Sequence, residues 1–174
     1  MSEPEIRNLC GGIAIALLLV MMIFGLLVEG AVGAVPLIAI AYLLSRFTRD
    51  ILGRSLLVGS LFIAAAAYFG FAAWAGAAGV WILIELLQVL AFGAAALLGL
   101  RGSPYWIAAG WALHPLWDIG VHYVGPGNSF TPMAYPILCG AFDLVVVAYV
   151  ALAYGIVGSR RLKLREVVPE ELAT

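Results

Sequence analysis

The residues able to do chemistry are few and lie where an apolar sequence should hold none. Glu85 and Gln88, then His114, Asp118 and His122, then Asp143 interrupt three otherwise apolar stretches. His114, Asp118 and His122 follow an H-x3-D-x3-H spacing, which on a helix keeps all three within about 80° of one face. Trp111, three residues before His114, extends that face, and Pro115 removes an amide donor beside it, leaving the Trp111 carbonyl free. Trp81, Glu85 and Gln88 share a face of their own helix, as do Cys139 and Asp143.

Imidazoles and carboxylates on facing helices are the donors of a Zn, Fe or Mn site, and bundle interiors are where such sites are built. The spacing predicts His114, Asp118 and His122 as ligands of a divalent metal, with Glu85 and Asp143 as further ligands or, catalytically, as a general base. Two other readings fit the same residues. One is a proton or ion pathway in which the groups titrate in turn, and the other is a hydrogen-bonded structural network. An acid at mid-helix costs about 2.5–3.5 kcal/mol to insert. No Lys or Arg within a span offsets Glu85, Asp118 or Asp143, so histidine, a cation, water or a proton must.

The elements that position these residues follow from composition. Of 174 residues 64% are hydrophobic and only 11% are charged, against about 25% charged in a soluble domain. Mean hydropathy is +1.08. This excludes a soluble enzyme, a secreted disulfide scaffold and a nucleic-acid binder, which needs a basic face. A hydrocarbon core about 30 Å thick takes roughly 20 helical residues to cross. Six segments approach that length: 9–28, 31–47, 55–75, 80–100, 105–124 and 133–157. The expected fold is an all-α, polytopic transmembrane bundle of six helices with both termini cytoplasmic. Residues 1–158 form its single domain and 159–174 a cytoplasmic tail of mixed charge. The first segment carries Glu3 and Glu5 ahead of a long apolar run, and reads as a retained helix rather than a cleaved signal.

With six helices, all nine Lys and Arg residues fall in the N-terminal arm, the second loop, the fourth loop or the tail, as the positive-inside rule requires. That arrangement sets depth. At about 1.5 Å per residue, Glu85 lies roughly 8 Å below the outer surface, His122 roughly 3 Å, Asp118 roughly 9 Å, and His114 and Asp143 roughly 15 Å. Three helices thus deliver their ionisable groups to the outer half of the bilayer. Toward the cytoplasm helix six continues Leu144-Val145-Val146-Val147 and helix four Leu97-Leu98, so the polar layer reads as a pocket closed from below.

The remaining polar and aromatic residues have plainer roles. Trp74, Trp81, Tyr105 and Trp106 are expected at interfaces, and Glu29 in solvent at the end of the first helix. Gly102, Ser103 and Pro104 suit a helix end and the next helix start. Thr131-Pro132 repeats that start, and Ser129 and Thr131 are expected in caps or turns. Cys10 and Cys139 lie too far apart in depth for a disulfide and read as free, buried thiols. Runs such as Ala64–Ala67 allow close helix packing. The polar half is not echoed in the first, which counts against an inverted-repeat transporter.

The stretch Gly110-Trp111-Ala112-Leu113-His114-Pro115-Leu116-Trp117-Asp118, followed by His122, a proline-bearing loop, Cys139 and Asp143, resembles a family of small bacterial integral membrane proteins of unknown function. That family carries a G-W-x-x-H-x-x-W-D core, a following histidine or histidine pair, and a later C-x3-D; Tyr123 stands here where the pair's second histidine often falls. The resemblance covers about the last third of the chain. It implies a multi-pass protein of a bacterial inner membrane and adds weight to His114, Asp118, His122 and Asp143 without giving them a reaction. The expected function is divalent metal binding, extending to an intramembrane metalloenzyme acting on an apolar or lipid substrate. The alternatives are an ion or proton-coupled transporter and a structural membrane subunit. Membrane lipids are the expected partners, a homo-oligomer is compatible with the sequence, and nucleic acid is excluded.

Overall fold

The structure, a computed structural model, describes the backbone of residues 3–167 and the side chains of residues 5, 8 and 11–155. Five α-helices make up nearly all of it: α1 (Glu3–Phe47), α2 (Asp50–Trp74), α3 (Gly79–Arg101), α4 (Tyr105–Trp117) and α5 (Tyr135–Val167). A π-helical segment, Asp118–Tyr123, continues α4, and a short 3₁₀ turn, Pro126–Ser129, follows it. Among the described residues there is no strand. Four helices are long and apolar enough to cross a membrane: α1 over Gly11–Phe47, α2, α3, and α5 over Tyr135–Gly155. Helix α4 and its π segment together run 19 residues, from Tyr105 to Tyr123.

The expected six helices are therefore five. Segments 9–28 and 31–47 form one continuous helix, and the break expected at Glu29-Gly30 does not exist. A single glycine in a helix costs only about 1 kcal/mol. Gly30 serves instead as a contact, buried against α5, where a Cβ would strike the Leu138 carbonyl oxygen. Pro36 is accommodated within the same helix. Glu29 is exposed, as expected, but from a helix interior rather than a terminus. At 45 residues, α1 is roughly 68 Å long, about twice the hydrocarbon thickness. Its C-terminal half packs on the bundle, and among the described residues those from Ile13 to Val28 present apolar side chains outward.

The helices close into a ring in which each packs on its sequence neighbour and α5 returns to α1, with α2 touching α4 across the middle. The core comprises Leu57, Leu61, Ala65, Phe92, Ala96, Ile107, Trp111, Val146 and Val150. Small residues set the close approaches: at Gly99 a Cβ would collide with Ile107 of α4.

One end of the ring is basic and internally tied. Arg54 Nε lies 2.8 Å from Asp50 Oδ2, an Arg54 Nη1–H donates to the Gly102 carbonyl at 3.3 Å, and the Tyr154 hydroxyl donates to Asp50 at 3.0 Å. Arg46, Arg49 and Arg101 flank this end. Helix α3 ends at Gly102, as the sequence suggested, and Ser103 Oγ accepts from the Tyr105 amide at 3.3 Å. The side chains of Cys10 and of the tail lie outside the described residues, although α5 runs unbroken past residue 158 to Val167.

Candidate metal centre

The end opposite the arginines holds the polar residues, and the helix start there is not where Thr131-Pro132 suggested. Helix α5 begins at Tyr135, after a turn in which the Tyr135 amide donates to the Pro132 carbonyl at 2.9 Å. Thr131 caps nothing; its buried hydroxyl lies 3.1 Å from His122 Nδ1. Ser129 does stay in its turn, donating to the Pro126 carbonyl at 3.0 Å.

Pro115 gives α4 its local character. It lacks the amide that would bond the Trp111 carbonyl, and three residues later the helix widens into the π segment at Asp118. Isolated π turns of this kind change the angle at which side chains leave a helix and recur at functional sites. Here the widened turn carries Asp118 and His122 inward, and both are buried.

Glu85, His114, Asp118 and Asp143 are each 0% exposed, His122 1% and Gln88 3%. They form two adjoining groups. In the first, His114 Nδ1 lies 2.8 Å from Asp143 Oδ2 and 3.5 Å from Asp118 Oδ2. Cys139 joins it from the turn of α5 before Asp143, its Sγ 4.0 Å from His114 Nδ1 and 3.9 Å from Asp143 Oδ1. One ligand atom from each of His114, Asp118, Cys139 and Asp143 lies within 4.8 Å of every other.

The second group pairs His122 Nε2 with Glu85 Oε2 at 3.4 Å. The Gln88 amide nitrogen, in the orientation that satisfies its neighbours, lies 3.3 Å from Glu85 Oε2 and 3.2 Å from the Ala65 carbonyl. Tyr68 joins the two groups, its ring stacked on His122 with centroids 3.9 Å apart and only 6.1 Å from the His114 ring. Gly127 packs so closely that a Cβ there would come within 2.7 Å of His122 Nδ1.

Of the five expected ligands, the structure thus brings His114, Asp118 and Asp143 together and places His122 and Glu85 in the neighbouring group. Cys139 was not among the expected ligands, although its shared face with Asp143 was visible in the sequence. Tyr68 carried no signal, being one aromatic ring in an apolar helix.

Both groups hold polar atoms that meet no hydrogen-bond partner within the chain, His114 Nε2 in the first and Glu85 Oε1 in the second. Leaving a buried polar group unpaired costs about 1–3 kcal/mol, more for a charged one. Such atoms call for a partner from outside the chain, whether a proton, water or an ion. Toward the basic end the site is sealed by apolar side chains, with the Phe92 ring edge-on to His114 at 5.2 Å and Leu61, Ile107, Trp111 and Val146 fully buried.

Apolar helices of spanning length around a group of buried His, Asp and Cys donors define the class: a helical membrane protein with a buried polar site. The chain belongs to a family of unknown function, DUF6010, whose model matches residues 12–156 and so includes every residue of both groups. Comparisons with curated proteins and with solved structures find no match.

Proposed function

We propose that this protein binds one divalent metal ion through His114, Asp118, Cys139 and Asp143, and that it is a membrane-embedded metalloenzyme acting on a lipid or other apolar substrate. The observation that carries the reading is the convergence of four donor atoms within 4.8 Å on side chains that are all buried. Zinc–ligand distances are about 2.0–2.3 Å, so two donors across one ion stand no more than about 4.6 Å apart. Around a tetrahedral ion such donors stand about 3.4–3.8 Å apart, so closing on one asks for side-chain shifts of about 1 Å. The thiol narrows the metal to zinc or iron, because sulfur is a poor partner for manganese. Two buried carboxylates also need a compensating charge that, among the described residues, no buried Lys or Arg provides. Bound there, such an ion supplies Lewis acidity at the edge of an apolar cavity.

Chemistry is favoured over conduction by the sealed floor. Among the described residues, the buried polar and charged side chains are those of the two groups and Thr131 beside His122, and the core between them and Asp50 and Arg54 at the basic end is apolar. The basic end fits the cytoplasmic face of a bacterial inner membrane by the positive-inside rule, which puts the metal centre in the outer half. With five helices each crossing once, the chain ends lie on opposite sides, and eight of the nine basic residues remain cytoplasmic, with Arg7 the exception.

Thermal melting in lipid nanodiscs tests the reading. Chelation should lower the melting temperature and added Zn²⁺ or Fe²⁺ restore it, since saturation at about 1,000 times Kd stabilises by about 4 kcal/mol. Identical melting with chelator, Zn²⁺, Fe²⁺ and Mn²⁺ would contradict it.

A further inference from the structure

At the basic end of the ring, between α1, α2, α4 and α5, lies a cavity of about 450 Å³. Two guanidinium groups line it, those of Arg46 and Arg54, with one carboxylate, that of Asp50. Asp50 is already committed. Its Oδ2 lies 2.8 Å from Arg54 Nε and its Oδ1 accepts from the Tyr154 hydroxyl at 3.0 Å. Arg54 is held as well, an Nη1–H donating to the Gly102 carbonyl at 3.3 Å and the guanidinium lying 5.0 Å from the Tyr154 ring. Arg46 has no such counterpart. Among the described residues no carboxylate pairs with it, and its guanidinium lies 5.9 Å from the ring of the adjacent Phe47. The cavity thus carries one positive charge that its own wall does not balance.

We infer that this cavity binds a phosphate group, with Arg46 as its main contact and Arg54 as a fixed second one. The unbalanced guanidinium calls for an anion, and its planar fork of donors matches a pair of phosphate oxygens. Depth agrees. Tyr149 and Tyr154, which line the cavity on α5, lie about 21–28 Å along that helix from its start at Tyr135. That is the far edge of a hydrocarbon core about 30 Å thick, the level at which lipid phosphates lie. The rest of the wall suits a headgroup too. Tyr42 and Tyr105 line the cavity and are each 53% exposed on the outside of the bundle, an apolar ring with a polar tip at the interface. The volume falls within that of ligand pockets, roughly 300–1,000 Å³, room for a phosphate with its glycerol. Basic pockets between membrane helices hold anionic headgroups in this way. A lipid phosphodiester and free phosphate share this chemistry. No donor of the metal centre lines the cavity, so the inference stands apart from the metal reading.

Lipid binding to the full chain in detergent micelles tests it. Native mass spectrometry compares phosphatidylglycerol with phosphatidylcholine of the same acyl chains, whose choline balances the phosphate. Thermal melting compares inorganic phosphate with chloride at equal ionic strength. Phosphatidylglycerol should bind about tenfold more tightly than phosphatidylcholine, the worth of one charge-assisted contact. Arg46→Gln should abolish that preference, and Arg46 is exposed, so the change leaves the core intact. Ala153→Phe, which fills the cavity without removing a charge, should abolish it as well. Arg49→Gln and Arg101→Gln remove charges at the same end but outside the cavity wall, and should keep it. Melting raised by inorganic phosphate would identify the bare phosphate as sufficient; a preference for phosphatidylglycerol with no effect of inorganic phosphate would identify the lipid as its source. Equal binding of the two lipids with no effect of inorganic phosphate would overturn the inference. So would equal losses in Arg46→Gln and Arg49→Gln, which would reduce the effect to general surface charge.

Discussion

His114 Nδ1 and Asp143 Oδ2 stand 2.8 Å apart although 29 residues separate them in the chain. The contact ties α4 to α5 in the interior, and its meaning depends on what lies beyond it. The same ring nitrogen faces Cys139 Sγ at 4.0 Å, so one side of the imidazole looks onto the whole donor group. Asp118 approaches the same nitrogen at 3.5 Å. Asp118 and Asp143 thus face a single imidazole nitrogen, two carboxylates on one histidine.

The division into two groups makes a separable prediction. Asp118→Asn should lose most of the bound metal, whereas Glu85→Gln should retain it and lower stability by about 1–3 kcal/mol through its weakened pairing with His122. Metal content and melting temperature of both variants decide the matter. Equal metal loss in Glu85→Gln would mean that the two groups act as one centre.

Cys139→Ser keeps the shape of the site and removes its sulfur. With Co²⁺ as a spectroscopic stand-in, the native protein should show a thiolate-to-metal charge-transfer band that the variant lacks. The variant should also shift in preference from zinc toward manganese. A native spectrum without the sulfur band would remove Cys139 from the donor set.

Gly127→Ala should destabilise by about 1–3 kcal/mol, because the added methyl overpacks a fixed wall. That wall is His122 Nδ1 at 2.7 Å and the Val121 carbonyl at 2.9 Å. Gly120→Ala, which meets nothing within 4 Å, is the control and should melt like the parent. Equal melting of all three proteins would show that the loop yields and does not clamp His122.

The continuity of α1 is measurable directly. Spin labels at positions 20 and 40 should be about 30 Å apart along one helix. An antiparallel pair of helices turning at residue 30 would hold them at about 10 Å. A short distance would restore the six-helix arrangement.

What the sequence disclosed and what it hid follow from the range of the forces involved. Helices α2 to α5 were legible because each is an apolar run ended by polar or glycine-rich breaks, and burial of the ionisable residues was legible because so few exist. The join at Gly30 was not, because a glycine that permits close packing reads the same as one that permits a turn; only the Leu138 carbonyl pressed against it tells them apart. The H-x3-D-x3-H spacing assumed a regular α-helix, yet the turn widens at Asp118, and His122 faces Glu85 on α3. Cys139 was hidden by its chemistry, since a buried thiol is ordinarily a small apolar side chain and becomes a candidate ligand only once α4 brings His114 beside it.

The central claim is that His114, Asp118, Cys139 and Asp143 hold one metal ion. Elemental analysis of the protein purified without added metal, combined with X-ray absorption at the edge of whichever metal is found, tests it most directly. The account predicts close to one zinc or iron per chain, with one sulfur and the rest nitrogen or oxygen ligands, and loss of that metal in Asp118→Asn. Folded protein without stoichiometric metal, or a metal with no sulfur ligand that persists in Asp118→Asn, would contradict it.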